Sequence, residues 1–287
     1  MSFTRMLLNI ASALLKKTIT VIGGSKSAQI SAHLANYLIP YITQQTKFGP
    51  ITFFCPDEIP EWRARTLLTK EPETIAWIDS FDDGDVLWDI GANVGVYSLY
   101  AATKGHTVLA FEPAPGNYYV LNRNIEINKL DDKISAYCVA LNDKSHLDTF
   151  FMENTALGEA LNSFGEMIDW KGLPLRVRYR QAMIGFSIDD FVNGFYAPFP
   201  NHIKIDVDGI ENKIIKGAMS TLSDDRLKSV LVELDTDRNE TEEVIEVLKN
   251  VGLHLGKKAH GKSLDNTRFA GVYNYIFERT SLTISRT

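Results

Sequence analysis

Cysteine is nearly absent: Cys55 and Cys138 are the only two in 287 residues, and they do not stand at metal-ligand spacing. This argues against a disulfide framework or a zinc site and favours a reducing compartment, the cytoplasm. An excess of basic charge is also missing. The formal net charge of −6 argues against a dedicated nucleic-acid binder, because a polyanion rewards a basic surface. Long uninterrupted apolar runs are missing too. The run Met6-Leu7-Leu8-Asn9-Ile10 precedes Ala11-Ser12-Ala13, which imitates a signal-peptidase site, but at about five residues it is short of the ~7–15 of a signal core. No run approaches the ~18 apolar residues of a membrane helix, so no transmembrane segment is expected. An amphipathic helix over 5–17, ending in Lys16-Lys17, is expected instead. Its first expected docking place is the protein itself, ahead of a second subunit or a membrane surface. The run Gly24-Ser25-Lys26-Ser27 lacks the glycines of a phosphate loop and reads as a turn.

What is present is a chain with 45% hydrophobic residues, enough for a sizeable core. Residues 1–80 read as a mainly helical extension, with a short strand at 51–54 and helices at 61–68 and 72–81. From residue 81 a regular alternation begins. Strands are expected at 85–90, 106–111, 133–140, 202–207, 229–234 and 271–278, and helices at 94–104, 115–128, 210–221 and 239–251. Strands alternating with helices give an α/β fold with a mostly parallel sheet and helices on both faces. Residues 142–187 break the rhythm as an inserted hairpin. It is read equally as a lid beside the pocket or as an edge hairpin without ligand contact.

The densest signal is Asp89-Ile90-Gly91-Ala92-Asn93-Val94-Gly95, followed by Phe111-Glu112-Pro113. It reads as strand, glycine loop, helix, strand and a terminal acid, which builds a nucleotide-type pocket at the carboxyl edge of a parallel sheet. Gly91 and Gly95 permit a tight turn and close approach of a ligand to backbone N–H groups. The third glycine of a G-x-G-x-x-G dinucleotide loop is absent. An acid before the loop repels a diphosphate but attracts ammonium and sulfonium groups. Asp89 therefore favours S-adenosylmethionine, which carries both. Glu112 is placed to accept hydrogen bonds from the ribose hydroxyls. Leu141 is placed to pack against the adenine, and Asn142 to bond its edge. The bland alternative makes Asp89 a loop cap and Glu112 a surface acid.

The second constellation is His202-Ile203-Lys204-Ile205-Asp206-Val207-Asp208-Gly209-Ile210-Glu211. Charges inside a central strand need partners, and Lys204 with Asp206 or Glu211 supplies one. Asp206, at the carboxyl tip, is a candidate base or substrate orienter. Glu233, at the tip of the neighbouring strand, is a further candidate, read either as facing the substrate or as hydrogen-bonding a backbone N–H. His202 titrates in a useful range but stands at the wrong end of the strand, and a strand-entry surface role is the stronger reading for it. Asp206, Asp208, Glu211 and Glu233 also offer oxygen ligands to a divalent cation, but ion pairing is the favoured reading and no metal is expected.

Together these segments, with Asn124, Asn128, Ser187-Ile188-Asp189-Asp190-Phe191 and Lys70-Glu71-Pro72-Glu73-Thr74-Ile75-Ala76-Trp77-Ile78, resemble the FkbM-type S-adenosylmethionine-dependent methyltransferases over roughly residues 50–280. The resemblance implies a class I methyltransferase (Rossmann-like) fold for 81–287. It implies O-methylation of hydroxyls on sugars or polyketide-like metabolites, and cofactor roles for Asp89, Gly91, Asn93, Gly95 and Glu112. It does not assign a base. Members commonly carry glutamate where this chain has Asp208.

Two other readings remain beside a small-molecule or sugar O-methyltransferase. One is a nicotinamide-dependent oxidoreductase on a similar fold; the other is a non-catalytic binding module that keeps the pocket as scaffold. Phe195, Tyr196 and Phe199 offer faces for a sugar, with core packing the stronger alternative. The unassigned N-terminal helices point to a homodimer.

Overall fold

The computed structural model describes residues 3–261, 265 and 267–279. Two compact units divide the chain, Met1–Tyr41 and Ile42–Thr287. The first holds α1 (Phe3–Gly23) and α2 (Ser27–Leu38), joined by a short 3-10 turn over Gly24–Lys26 with Gly24 at a φ of 48°. The expected helix over 5–17 is thus longer. Residues Met6–Leu38 are, by length and composition, apolar enough to cross a membrane, and none of this stretch is buried. Only the expected bounds of the helix are corrected. Counting uninterrupted apolar runs missed the stretch, because single Ser, Thr and Asn residues do not break an apolar helix surface.

The second unit opens with β1 (Tyr41–Thr46), β2 (Gly49–Phe54), α3 (Glu58–Thr66) and α4 (Pro72–Asp79). The alternating part follows as β3 (Val86–Ile90), α5 (Val96–Lys104), β4 (Thr107–Phe111), α6 (Pro115–Asn128), β5 (Ile134–Tyr137) and β6 (Ala140–Leu141). Next come β7 (His146–Met152), β8 (Ser163–Phe164), β9 (Tyr179–Phe186), α7 (Ile188–Phe195) and β10 (His202–Ile205). The chain then runs through α8 (Glu211–Lys216), α9 (Met219–Ser223), β11 (Ser229–Asp235), α10 (Asn239–Asn250), β12 (Leu253–Ala259) and β13 (Val272–Arg279).

Seven strands form the main sheet in the order β12-β13-β11-β10-β3-β4-β5. β11, β10, β3, β4 and β5 run parallel, and β13 pairs antiparallel to β11. The central strands are apolar because both faces are covered: Trp88, Ile90, Leu109, Phe111, Ile203, Ile205, Val230 and Val232 are all buried. From β3 the chain first builds outward through β4 and β5, then returns to add β10 and β11 on the other side. The order therefore reverses between β3 and β10. A crevice opens at their carboxyl ends, where ligands bind in open α/β sheets.

The two compact units divide at 41/42, and β2 belongs to the second, tied into the α/β body. Asn128 Nδ2 donates to Thr52 O at 2.7 Å and its Oδ1 accepts from Thr52 N at 2.8 Å. Asn124 Oδ1 accepts from Phe54 N at 2.7 Å while its Nδ2 donates to Val94 O at 2.8 Å. Two side-chain amides one helical turn apart thus satisfy the edge of β2 as a neighbouring strand would. They also fasten that edge to the glycine loop.

The expected strand 133–140 is two elements. β5 ends the main sheet, and β6 joins a second sheet of order β6-β9-β7-β8 built from the insertion. The expected helix 210–221 is also two, α8 and α9. Gly217 separates them, since a Cβ there would stand 2.2 Å from Asn142 O. β12 was not among the expected strands; apart from Leu255 and Gly256 its exposed residues are polar, as suits an edge.

Candidate active site

The crevice holds a cavity of about 410 Å³. Its floor is Ile90, Gly91 and Asn93 after β3, Glu112 and Pro113 after β4, Leu141 of β6, and Asp206 and Asp208 after β10. A small adjoining hollow of about 30 Å³ is lined by Asp89, Gly91, Asn93, Tyr97, Lys204 and Asp206.

The glycine loop has a strict local requirement. Gly91 sits at a φ of 82°, and a Cβ there would lie 1.9 Å from Asp206 O, inside the backbone of the neighbouring loop. Asn93 also takes a positive φ, 50°. It is held by its own N–H donating to Glu112 Oε2 at 2.8 Å and by Nδ2 donating to Glu159 O at 3.1 Å. Glu112 Oε1 accepts from Ala114 N at 2.8 Å. The Glu112 carboxyl thus fixes two turns at once, and burial pushes its pKa up to about 7.

Gly95 lines neither hollow. It sits at the start of α5 with a φ of 85°, and Leu121 packs where its Cβ would be. In this structure its part is to shape the loop. Asn142, the expected partner of the adenine edge, also lies off both hollows. It is buried, its N–H donates to Phe186 O at 2.8 Å and its Oδ1 caps Asp143 N at 2.8 Å. The adenine-side expectation rested on strand order, which located Leu141 on the cavity wall but could not show that the next residue turns into the second sheet.

A buried charge network supports the floor. Lys204, only 1% exposed, donates to Asp206 Oδ2 at 2.7 Å and lies 5.3 Å from the centre of the Tyr97 ring. Burial would lower the lysine's pKa, but Asp206, Asp89 and Glu71 hold it above its ordinary value. Asp89 accepts from Ser98 Oγ at 2.5 Å, and its pKa is raised because burial outweighs the pull of Lys204. Lys70 donates to Glu71, whose carboxyl the two lysines hold down at about 2 against the effect of burial. Burial raises Glu233 well above the carboxylate range, and Asp206, Glu71 and Asp208 add repulsion against which Lys70 pulls. Asp208 rises to about 6 by burial and the nearby Asp206.

Glu211 is not part of an ion-binding set. Its Oε1 accepts from Gly209 N at 3.0 Å and holds the turn into α8. The carboxylate oxygens that do approach one another, within 4.8 Å, belong to Glu71, Asp206 and Glu233. Two of those three carboxylates already face the ammonium groups of Lys70 and Lys204.

Part of the insertion lines the cavity and is held there by loop-to-loop hydrogen bonds. Gly158 N–H donates to Asn117 Oδ1 at 2.7 Å, Asn117 Nδ2 donates to Glu159 O at 2.9 Å, and Arg63 Nε donates to Gly158 O at 2.9 Å. Leu161 N–H donates to Asp208 Oδ2 at 2.6 Å. Asp208 meets it from a positive φ of 65°, a strained conformation kept by this loop-to-loop bond. Gly158, Glu159, Ala160, Leu161 and Asn162 all line the cavity. Sequence reasoning missed these residues, and also Arg63, Lys70, Asn117 and Arg268. No local pattern marks them, since each comes from an element far along the chain.

His202 is excluded from the site. It is buried at the opposite end of β10, stacked on Phe81 with ring centres 3.6 Å apart. Nε2 lies 2.9 Å from Asp85 Oδ2 and Nδ1 lies 2.7 Å from Ser229 Oγ, which in turn accepts from Trp77 Nε1 at 2.8 Å. Because Ser229 accepts from the indole, its own proton points to Nδ1. Nε2–H then donates to Asp85, so one neutral tautomer satisfies the chain. Burial lowers the His202 pKa to about 4, outweighing Asp85. The surface role expected for it is thus also corrected. A folded pKa below the free value of about 6.5 means the unfolded chain binds more protons, so stability falls as pH drops from about 6.5 toward 4. His202→Ala is expected to lower the melting temperature by several degrees and to flatten that pH dependence, without changing ligand affinity. Thermal melts at pH 5 and pH 7.5 check this.

The sheet order with its reversal, the glycine turn after β3 and the acid after β4 define a class I methyltransferase fold. A Methyltransferase FkbM domain matches residues 89–256, more than half of the chain, which belongs to the FkbM methyltransferase family. Hexuronic acid methyltransferase AglP of Haloferax volcanii is 26% identical over 176 residues, 60% of this chain and 65% of that protein. The 31-O-demethyl-FK506 methyltransferase FkbM of Streptomyces tacrolimicus is 33% identical over 76 residues, 26% of this chain and 29% of that protein. A tRNA (guanine(37)-N(1))-methyltransferase of Candida albicans is 34% identical over 97 residues, 34% of this chain and 20% of that protein. These matches span just under two thirds of the first relative and much less of the other two.

Proposed function

We propose that the chain is an S-adenosylmethionine-dependent O-methyltransferase acting on a hydroxyl of a sugar, a glycan precursor or a secondary metabolite. The observation that carries this reading is the donor-hungry wall of the crevice. Asp89 Oδ1 and Asn93 Oδ1 are buried acceptors with no hydrogen-bond partner among the described residues, and Glu112 stands beside them at the tip of β4. An ammonium group and ribose hydroxyls supply the missing donors; a diphosphate supplies none. These residues therefore fit S-adenosylmethionine: Asp89 and Asn93 would hold its amino-acid end, Glu112 the ribose and Leu141 the adenine.

The cofactor supplies an electrophilic methyl group. The chain's own task is to place an acceptor oxygen in line, keep water out and receive the hydroxyl proton. Glu233 suits the last role, because its surroundings make it bind a proton readily. Asp206, already bonded to Lys204, suits orientation of the acceptor. The lining segment 158–162 excludes water, and Arg63, Lys70 and Arg268 present cationic groups to an acceptor that carries a carboxylate. A hexuronic acid, the substrate in the name of one relative, offers only oxygen nucleophiles and a carboxylate. The match to the tRNA enzyme covers a fifth of that protein, and this chain's formal charge of −6 does not favour a polyanion.

The test is isothermal calorimetry with S-adenosylhomocysteine and NADH, followed by a panel of nucleotide sugars and hydroxylated metabolites assayed for S-adenosylhomocysteine release. Folded protein that binds NADH alone would reverse the assignment. Glu112→Gln is expected to weaken S-adenosylhomocysteine binding by about 10- to 1000-fold, the worth of one or two charge-assisted hydrogen bonds.

A further inference from the structure

We propose that the N-terminal helical unit is an anchor to the surface of a bilayer containing anionic phospholipid. Charge is sharply segregated along the chain. The N-terminal unit, residues 1–41, holds Arg5, Lys16, Lys17 and Lys26 and no aspartate or glutamate, a formal +4 against −10 for the remainder. A protein that is acidic overall thus begins with a purely basic segment.

The helix faces agree with this charge. Asn9, Ser12, Lys16 and Thr20 follow one another at spacings of three or four and form one polar stripe on α1. Leu7, Ile10, Leu14 and Val21 occupy the opposite side and are 49%, 50%, 61% and 74% exposed. No residue of Met6–Leu38 is buried, so this apolar surface is left uncovered. The hydroxyl that falls on that side is satisfied internally: Thr18 Oγ1 donates to Leu14 O at 3.0 Å. Such a hydroxyl enters an apolar phase without stranding a donor.

A surface position is favoured over a spanning one by the place of the lysines. Lys16 and Lys17 lie well inside α1, and Gly24 at a φ of 48° breaks the helix before α2. A spanning helix would carry two ammonium groups toward the bilayer centre. A helix lying in the interface sinks its apolar face and leaves Lys16 and Lys26 among phosphate groups, while Lys17, which shares the side of Ile10, Leu14 and Val21 by helical spacing, reaches them by extending its stem along that face.

The experiment is co-sedimentation of the full chain with vesicles of phosphatidylcholine alone and of phosphatidylcholine with 30% phosphatidylserine. Binding is expected only to the anionic vesicles, and 1 M salt is expected to release it. The paired change Lys16→Ala and Lys17→Ala is expected to lower partitioning by about 30-fold, from about fivefold per basic residue near an anionic surface. Leu7→Ser with Leu14→Ser should abolish binding. Unchanged thermal unfolding by circular dichroism shows that both variants remain folded. Equal binding to neutral vesicles that survives alkaline carbonate would make the segment a spanning helix and overturn the proposal. Absence of binding would overturn it as well, whether the chain is monomeric or forms a concentration-dependent dimer through these helices.

Discussion

Glu233→Gln is expected to lower kcat by about 10²- to 10⁴-fold, the usual worth of a positioned general base, while S-adenosylhomocysteine affinity stays within about threefold. The substitution keeps the side chain's shape and removes its capacity to take a proton. It also predicts a pH signature. Desolvation of Glu233, with repulsion from Asp206, Glu71 and Asp208, raises its pKa, and a base must be deprotonated to act. In the wild type kcat/KM should therefore rise about tenfold per pH unit on its acid limb and level off above the cluster's apparent pKa. In Glu233→Gln that limb should vanish along with most of the rate. Asp206→Asn is the companion measurement. Loss of rate with the limb intact would mark Asp206 as the orienting group. If the limb disappears in Asp206→Asn and persists in Glu233→Gln, the two assignments exchange.

The second large effect is on stability. Lys204→Met removes the cation that Asp206, Asp89 and Glu71 share beneath the site. Breaking a buried pair leaves an uncompensated charge, worth about 3–5 kcal/mol. For a domain of this size that corresponds to a melting temperature lower by about 6–20 °C. The sign of the pH dependence follows from the same carboxyls. Burial already raises the Asp89 carboxyl and Lys204 pulls it down, so without Lys204 it rises further; the folded state then holds an extra proton, and the deficit shrinks as pH falls. Melts of wild type and Lys204→Met between pH 5 and 8 measure it. A difference independent of pH would show that Lys204 contributes packing against Tyr97 and not charge.

Lys204 also shows why such a residue is legible from sequence only in part. A lysine between isoleucines in a buried strand announces that partners exist, and the pairing with Asp206 follows from period-two alternation. Its other neighbours, Asp89 on the next strand and Glu71 before α4, are set by which strand lies beside β10. That order is not written locally. His202 is the complementary case. Its wrong end of the strand was readable from chain direction, but the chain from Trp77 through Ser229 to Asp85 that keeps it neutral joins elements more than a hundred residues apart.

The sequence alone determined the α/β alternation, the glycine turn that demands a positive φ at Gly91, the acid at Asp89 and the acid that closes the next strand at Glu112. Each depends on residues within a few positions of one another, so backbone sterics and side-chain period state them directly. Only the tertiary structure decided that Asn142 and His202 lie off the site's hollows, that Arg63, Lys70 and Arg268 enter the site, and that the insertion lines it from Gly158 to Asn162. Those outcomes depend on contacts between distant segments, chosen by strand order and by the pairing of buried polar groups, and no local pattern carries that information.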